Sequence, residues 1–205
     1  MNSTAWEKID TDHCKATVHE YFRCEDAFQS FCKHSEYMVL KEKNREVSYR
    51  AYNAYASFIH HLWEFLQACH ARDAKKKNIT NKKGSERIKV IEGYVSLHAQ
   101  RIFDQYRDAI RGGHAPQWVN HISYYEIKVP VEFASEFRKY RNKVSGHVDH
   151  ERVSNLSLSE FYQKYHKYLY YLFLDAKHMW GGKGEFPDLK EVTDFSIMIT
   201  NKKEN

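Results

Sequence analysis

Glycine and proline are scarce in this chain. Of 205 residues, 8 are Gly and 3 are Pro, and neither occurs before Gly84. The many turns of a β-sandwich or barrel draw on both residues, so their shortage argues against those folds. A long stretch without either punctuator reads most simply as helix. Long apolar runs are also missing. The longest, Tyr168 to Leu174, is half tyrosine and far short of the ~18 residues a membrane span needs. The opening Met-Asn-Ser-Thr-Ala-Trp-Glu-Lys has no charged segment followed by an apolar block, so no secretory signal is expected and the cytoplasm is the expected location. Four cysteines form no Cys-x-x-Cys pair, and disulfides are not expected. Cys14 and Cys32 fall on the apolar stripe of the first helix and read as buried, inert thiols. The glycosylation sequons at Asn2, Asn78 and Asn155 read as chance matches.

Aromatic residues, by contrast, make up 15% of the chain. That supply excludes a disordered or low-complexity chain and can build a core. The net charge is +5 and the pI about 8.8, which allows a nucleic-acid partner without requiring one. Thirteen histidines supply the residue type on which neutral-pH acid/base chemistry draws.

Helical periodicity organises most of the sequence. A first helix is expected over about 12–43, with a break near Lys33–Ser35 and a stripe of Val18, Tyr21, Phe22 and Cys32 flanked by Cys14 and Phe28. A second covers about 46–72, where Tyr52, Tyr55, Ala56, Ile59, Leu62, Trp63, Leu66 and Cys69 repeat at i, i+3, i+4, i+7. Asp73–Ser85 carries five lysines and reads as a solvated loop, with phosphate attraction the functional alternative. A third helix runs over about 86–111 with Ile88, Ile91, Val95, Ala99, Ile102, Tyr106 and Ile110 inward, and Gly112–Gly113 stops it. His98 at the edge of that stripe reads as a hydrogen-bonded, semi-buried histidine. A connector follows, with a β-leaning piece over Ile122–Val129. Pro130 opens a fourth helix that runs into Arg141–Gly146. Ser157-Leu-Ser-Glu160 is a capping box that opens a fifth, with Phe161, Tyr165, Tyr168, Leu169, Leu172, Ala176 and Met179 inward. The expectation is an all-α fold: one antiparallel bundle of about five helices over 1–182, then an irregular polar tail over 183–205 with an apolar patch at Phe195–Ile199.

Charge concentrates at the end of helix four. Arg138, Lys139, Arg141 and Lys143 place four cations in six residues, with Asn142 beside Arg141 and His147 six residues beyond it. A histidine near an arginine is a chemically useful pair. The imidazole serves as general acid or base near neutral pH, and the guanidinium clamps a phosphate bidentately. Together they can activate a ribose 2′-hydroxyl and stabilise charge on the adjacent phosphodiester without a metal. On an ideal helix, positions i and i+6 lie about 120° apart, so the pair converges only if the helix is distorted or ends between them. Gly146 is placed to do either, and two copies of the chain could also bring their pairs together.

Arg141-Asn142-x-x-x-x-His147 resembles the Arg-x(4–6)-His signature of HEPN domains, here with five intervening residues. The resemblance extends over the helical body, about 12–182. It implies a metal-independent endoribonuclease of a toxin–antitoxin, phage-defence or related system, with no cofactor. It also implies RNA as substrate, a homodimer with a composite cleft, and an antitoxin or other operon-encoded protein partner. By position, Arg141 would contact the scissile phosphate, His147 would act as acid and base, and Asn142 would support the cleft. Arg138, Lys139 and Lys143 would hold RNA, and products would carry 2′,3′-cyclic phosphate and 5′-hydroxyl ends. The toxin subgroup modified by a nucleotidyltransferase partner has Tyr two residues after the His. This chain has Asp149 there, which speaks against tyrosine adenylylation. Some HEPN members bind ligands or partners and do not cleave RNA, which leaves a non-catalytic binding module as the alternative.

Three further features read more simply. His147-Val-Asp-His150 has metal-pair spacing but no second cluster to complete a site, so no metal is expected. Glu64, beside Trp63, reads as a solvated side chain, with a place in the cleft, where some HEPN domains put a polar residue of this helix, as the alternative. Tyr165–Tyr171 reads as core and dimer packing, with Tyr170 and Tyr171 off the stripe and free to meet a partner.

Overall fold

A computed structural model describes residues 3–41, 44–74, 83–146, 156–180 and 189–201. Among these residues there are six α-helices: α1 (Ser3–Leu40), α2 (Arg45–Asp73), α3 (Gly84–Arg111), α4 (Phe133–Tyr140), α5 (Leu158–Trp180) and α6 (Lys190–Asn201). A 3₁₀ turn spans Ile122–Tyr124, and a π-helical turn, Arg141–Gly146, continues α4. Among the described residues there is no strand, and no helix is long and apolar enough to cross a membrane.

Interhelical pairs establish an antiparallel bundle. Arg72 bonds Asp10 at 2.8 Å, His61 bonds Glu20 at 2.6 Å, and Phe31 meets Tyr55 at 4.8 Å, so α2 runs back along α1. His98 with Asp175 and Phe103 with Tyr168 set α5 against α3 in the same way. Asn44 caps α2 by accepting the Val47 amide at 2.8 Å, and Ser157 caps α5 by accepting the Glu160 amide at 3.1 Å. Gly113, at φ +71°, takes the left-handed conformation just past the end of α3.

The first helix differs from its expectation. It begins at Ser3 and has no break near Lys33, because no Gly or Pro interrupts it. Its inward face is Thr17, Tyr21, Cys24 and Ala27, joined by Cys14, Val18, Phe22, Phe28 and Phe31. Cys32 is exposed and Cys24 is the buried thiol, so Cys32 is no core residue. By spacing Cys32 shares the face of Tyr21 and Phe28, but at this level α1 turns Phe31 onto Tyr55 and Tyr162 instead.

The core is dense in rings. Phe28 packs on Phe58 at 4.9 Å and on Phe173 at 4.7 Å, joining α1, α2 and α5. Tyrosine can serve as core where its buried hydroxyl finds a partner. Tyr21 donates to Glu25, Tyr140 donates to the Ser157 carbonyl, and the Tyr125 and Tyr171 hydroxyls bond each other at 3.0 Å. Tyr171 is thus buried and Tyr170 packs near Phe28 at 5.9 Å, so neither is free for a partner as expected. Met179 is 60% exposed, because the next residue, Trp180, takes the inward position at that end of α5 and packs on Phe65.

The connector expected to lean toward β is instead a 3₁₀ turn and an extended run along α3. Among the described residues no strand lies beside that run. Gln100 supplies the missing partners: its side-chain oxygen accepts the Val129 amide at 2.9 Å, and its nitrogen donates to the Ile127 carbonyl at 3.3 Å. The expected irregular tail holds the helix α6, whose Val192, Phe195, Met198 and Ile199 are exposed.

One buried polar pair has a pH consequence. Tyr55 shares a 3.0 Å hydrogen bond with Nδ1 of His166, whose ring lies between Tyr162 and Tyr170. Burial lowers the imidazole pKa from 6.5 to about 4. As pH falls below 6.5 the unfolded chain takes up the proton first, so this contribution is complete above 6.5 and is lost progressively toward pH 4. Urea unfolding is expected to show about 2 kcal/mol less stability at pH 5 than at pH 7.5 from this group. His166→Phe should flatten that dependence, whatever its effect on absolute stability.

Candidate functional site

The Arg141 segment departs from regular helix. Phe133, Phe137, Tyr140 and Val144 are all buried, at the i, i+4, i+7, i+11 spacing of one helical face, which anchors α4 and the turn after it on the core. Asn142 and Gly146 weaken regular helix, and the backbone widens into a π turn over Arg141–Gly146. Such turns are rare and are frequent at functional sites. His147 itself, with Asp149 and His150, lies outside the described residues.

Arg141 is held from two sides. One guanidinium nitrogen donates to Oδ1 of Asn142 at 2.7 Å, and the other pairs with Oε1 of Glu64 on α2. Glu64 is therefore an oriented carboxylate and not the solvated side chain expected. Nε of Arg141 is buried with no hydrogen-bond partner among the described residues, as is Nδ1 of His60, one turn before Glu64. Burial lowers the His60 pKa, and the nearby Arg141 cation lowers it further, so this imidazole is neutral at pH 7.

The remaining predicted cations also have partners. Arg138 bonds Glu92 on α3 at 2.7 Å, Lys139 lies 3.3 Å from Glu136 one turn back, and Lys143 is half-buried on the π turn. The dense positive run is thus compensated in part by carboxylates from three helices.

A cleft of about 400 Å³ opens beside Arg141 between α2, α3 and α4, lined by Glu64, Gln67, Arg87, Arg138, Arg141 and Asn142. Arg87 is exposed and has no ion-pair partner among the described residues. Three guanidiniums against one lining carboxylate leave the cleft cationic. Two side-chain amides add neutral donors. This set suits a phosphate group. Arg141, Asn142 and Arg138 come together here as the sequence suggested, while Lys139 does not line the cleft. Arg87 and Gln67 were not expected in the site, and Glu64 was weighed for it but read as solvated. Their only sequence signal is a polar residue at the edge of an amphipathic stripe, which is also what an ordinary solvated residue looks like.

No family model matches this chain, and no curated protein or solved structure matches it either.

Proposed function

We propose that the protein is a metal-independent endoribonuclease of HEPN type, acting as a homodimer in which Arg141 and His147 serve a composite cleft. The observation that carries this reading is the π turn over Arg141–Gly146, which sets Arg141 at the edge of a cationic cleft lined by three arginines. Arg141 would hold the scissile phosphate and stabilise the charge that develops on it. His147 would take the proton of the 2′-hydroxyl and return one to the 5′-oxygen leaving group. Attack of the 2′-oxygen on phosphorus then forms the cyclic phosphate as the bond to the 5′-oxygen breaks. Glu64 and Asn142 hold the guanidinium in place, and Arg138 and Arg87 extend the phosphate track along the cleft. The proposal includes RNA as substrate and a second copy of the chain as partner, with an antitoxin as a further partner. Labelled RNA incubated with the protein in EDTA is expected to yield 2′,3′-cyclic phosphate and 5′-hydroxyl ends. Products with 3′-hydroxyl ends would refute the reading.

The ion pairs favour one rival. Arg138, Lys139 and Arg141 each face a carboxylate, which suits a helical module that holds a nucleic acid without cutting it. Glu64→Gln separates the two. It removes the charge opposing Arg141 and should tighten binding of single-stranded RNA at low salt, at about 1 kcal/mol of stability. In a ribonuclease it should also lower the cleavage rate, because the guanidinium loses its positioning carboxylate. In a binding module only the affinity changes.

A further inference from the structure

The connector between α3 and α4 carries an indole that the bundle does not use. Trp118 is 72% exposed and meets no other ring among the described residues. A loose loop could account for that, but this loop is tied along its length. The Gly113 and His114 amides donate to the Ile110 and Ala109 carbonyls in the last turn of α3, each at 3.1 Å. The Val119 amide donates to the Pro116 carbonyl at 3.2 Å, closing a turn with Trp118 at its third position, and Pro116 stiffens the entry. The Asn120 amide then donates to the Tyr125 hydroxyl at 3.3 Å, and its side chain donates to Tyr171 at 3.4 Å. The backbone is ordered on both sides of a large apolar ring that is left in water.

Beside that ring lies a cavity of about 490 Å³ between α3 and α5, within the range of small-molecule sites. Trp118, Tyr106 and Leu174 form its apolar walls, and Asp175, Lys177 and His178 its polar rim. The Asp175 carboxylate is oriented by Nε2 of His98 at 3.1 Å, its only polar partner among the described residues, and it keeps lone pairs for a further donor. Lys177 is exposed and reaches Glu25 only at 3.8 Å. His178 is exposed and has no partner among the described residues. A flat apolar face, an acceptor on one side and an ammonium and an imidazole on another match a planar heterocycle with amino groups and an attached anion.

We propose that this cavity binds a nucleobase carrying a phosphate. The ring stacks on Trp118, an exocyclic amine donates to Asp175, and the phosphate is met by Lys177 and His178. The ligand is either a free mononucleotide or one base of a strand. The site is distinct from the Arg141 cleft: Ile91 and Ile102, the nearest residues of α3 that line the two cavities, are about 16 Å apart along the helix. It stands whether or not the chain cleaves RNA.

Calorimetric titration of the full chain with AMP, GMP, CMP and UMP, and separately with a non-cleavable 2′-O-methyl hexanucleotide, tests this. Adenosine and inorganic phosphate serve as half-ligand probes. Saturable binding of a mononucleotide or the hexanucleotide, weakened at least tenfold by Trp118→Ala and by the double change Lys177→Ala and His178→Ala, is expected. Trp118 and both rim residues are exposed, so these variants should keep the wild-type melting temperature. Mononucleotide binding assigns the site to a free nucleotide. Hexanucleotide binding alone, lost in Trp118→Ala, assigns it to a strand. No saturable binding by any of the five, or binding that Trp118→Ala leaves unchanged, overturns the proposal.

Discussion

Arg141→Ala is expected to lower the rate of RNA cleavage about 10²- to 10³-fold, the usual loss when one preorganised donor to a developing anion is removed. The guanidinium is fixed on Asn142 and on Glu64, so its orientation is set before substrate arrives and no reorganisation is needed during reaction. Arg141→Lys sharpens the test. Lysine keeps the charge but loses the planar fork, and cannot hold Glu64, Asn142 and a phosphate together. Its rate should fall between those of the wild type and the alanine variant. The alanine change also leaves Glu64 beside the cleft without its cation, so a melting curve should accompany the kinetics. A well-folded Arg141→Ala protein with wild-type cleavage would remove Arg141 from the reaction.

Phe58→Ala is expected to cost about 3–5 kcal/mol. Phe58 is fully buried and sits where three helices meet. Its ring lies 4.9 Å from Phe28 of α1, 5.7 Å from Phe173 of α5, and 5.8 Å from Tyr55 on its own helix. Rigid rings on every side cannot collapse into the space that truncation leaves, which puts the cost toward the upper part of that range. For a chain of this length the melting temperature should drop on the order of 10 °C. A loss below about 1 kcal/mol would mean that this ring junction is not the centre of the core.

Much of the fold was legible because its signals are local. The α2 stripe from Tyr55 to Leu66 and the α3 stripe from Ile91 to Ile102 are buried as their periodicity indicates. The Ser157 cap and the Gly112–Gly113 stop lie at the ends they mark. What escaped is non-local. Phe58, Phe65 and Phe103 lie beside the main stripes and are buried because α2 and α3 each pack on more than one neighbour. A single amphipathic face does not reveal that. Tyr171 is buried because Tyr125, far away in sequence, offers its hydroxyl a partner.

The site divides in the same way. Arg141, Asn142 and Arg138 were legible as a dense cationic run with a histidine downstream. The carboxylates facing that run were not, because Glu64 and Glu92 come from other helices and each looks like an ordinary surface acid in its own segment. Arg87 escaped for the same reason. It joins the cleft only because the start of α3 crosses α4 there.

The most direct test of the account is the rate at which wild type and His147→Ala cleave the same labelled RNA in EDTA. The account predicts that wild type cuts without any divalent ion and leaves 2′,3′-cyclic phosphate ends, and that the variant is slower by about 10²- to 10⁴-fold. Cleavage that disappears in EDTA, or that His147→Ala leaves at the wild-type rate, would contradict it.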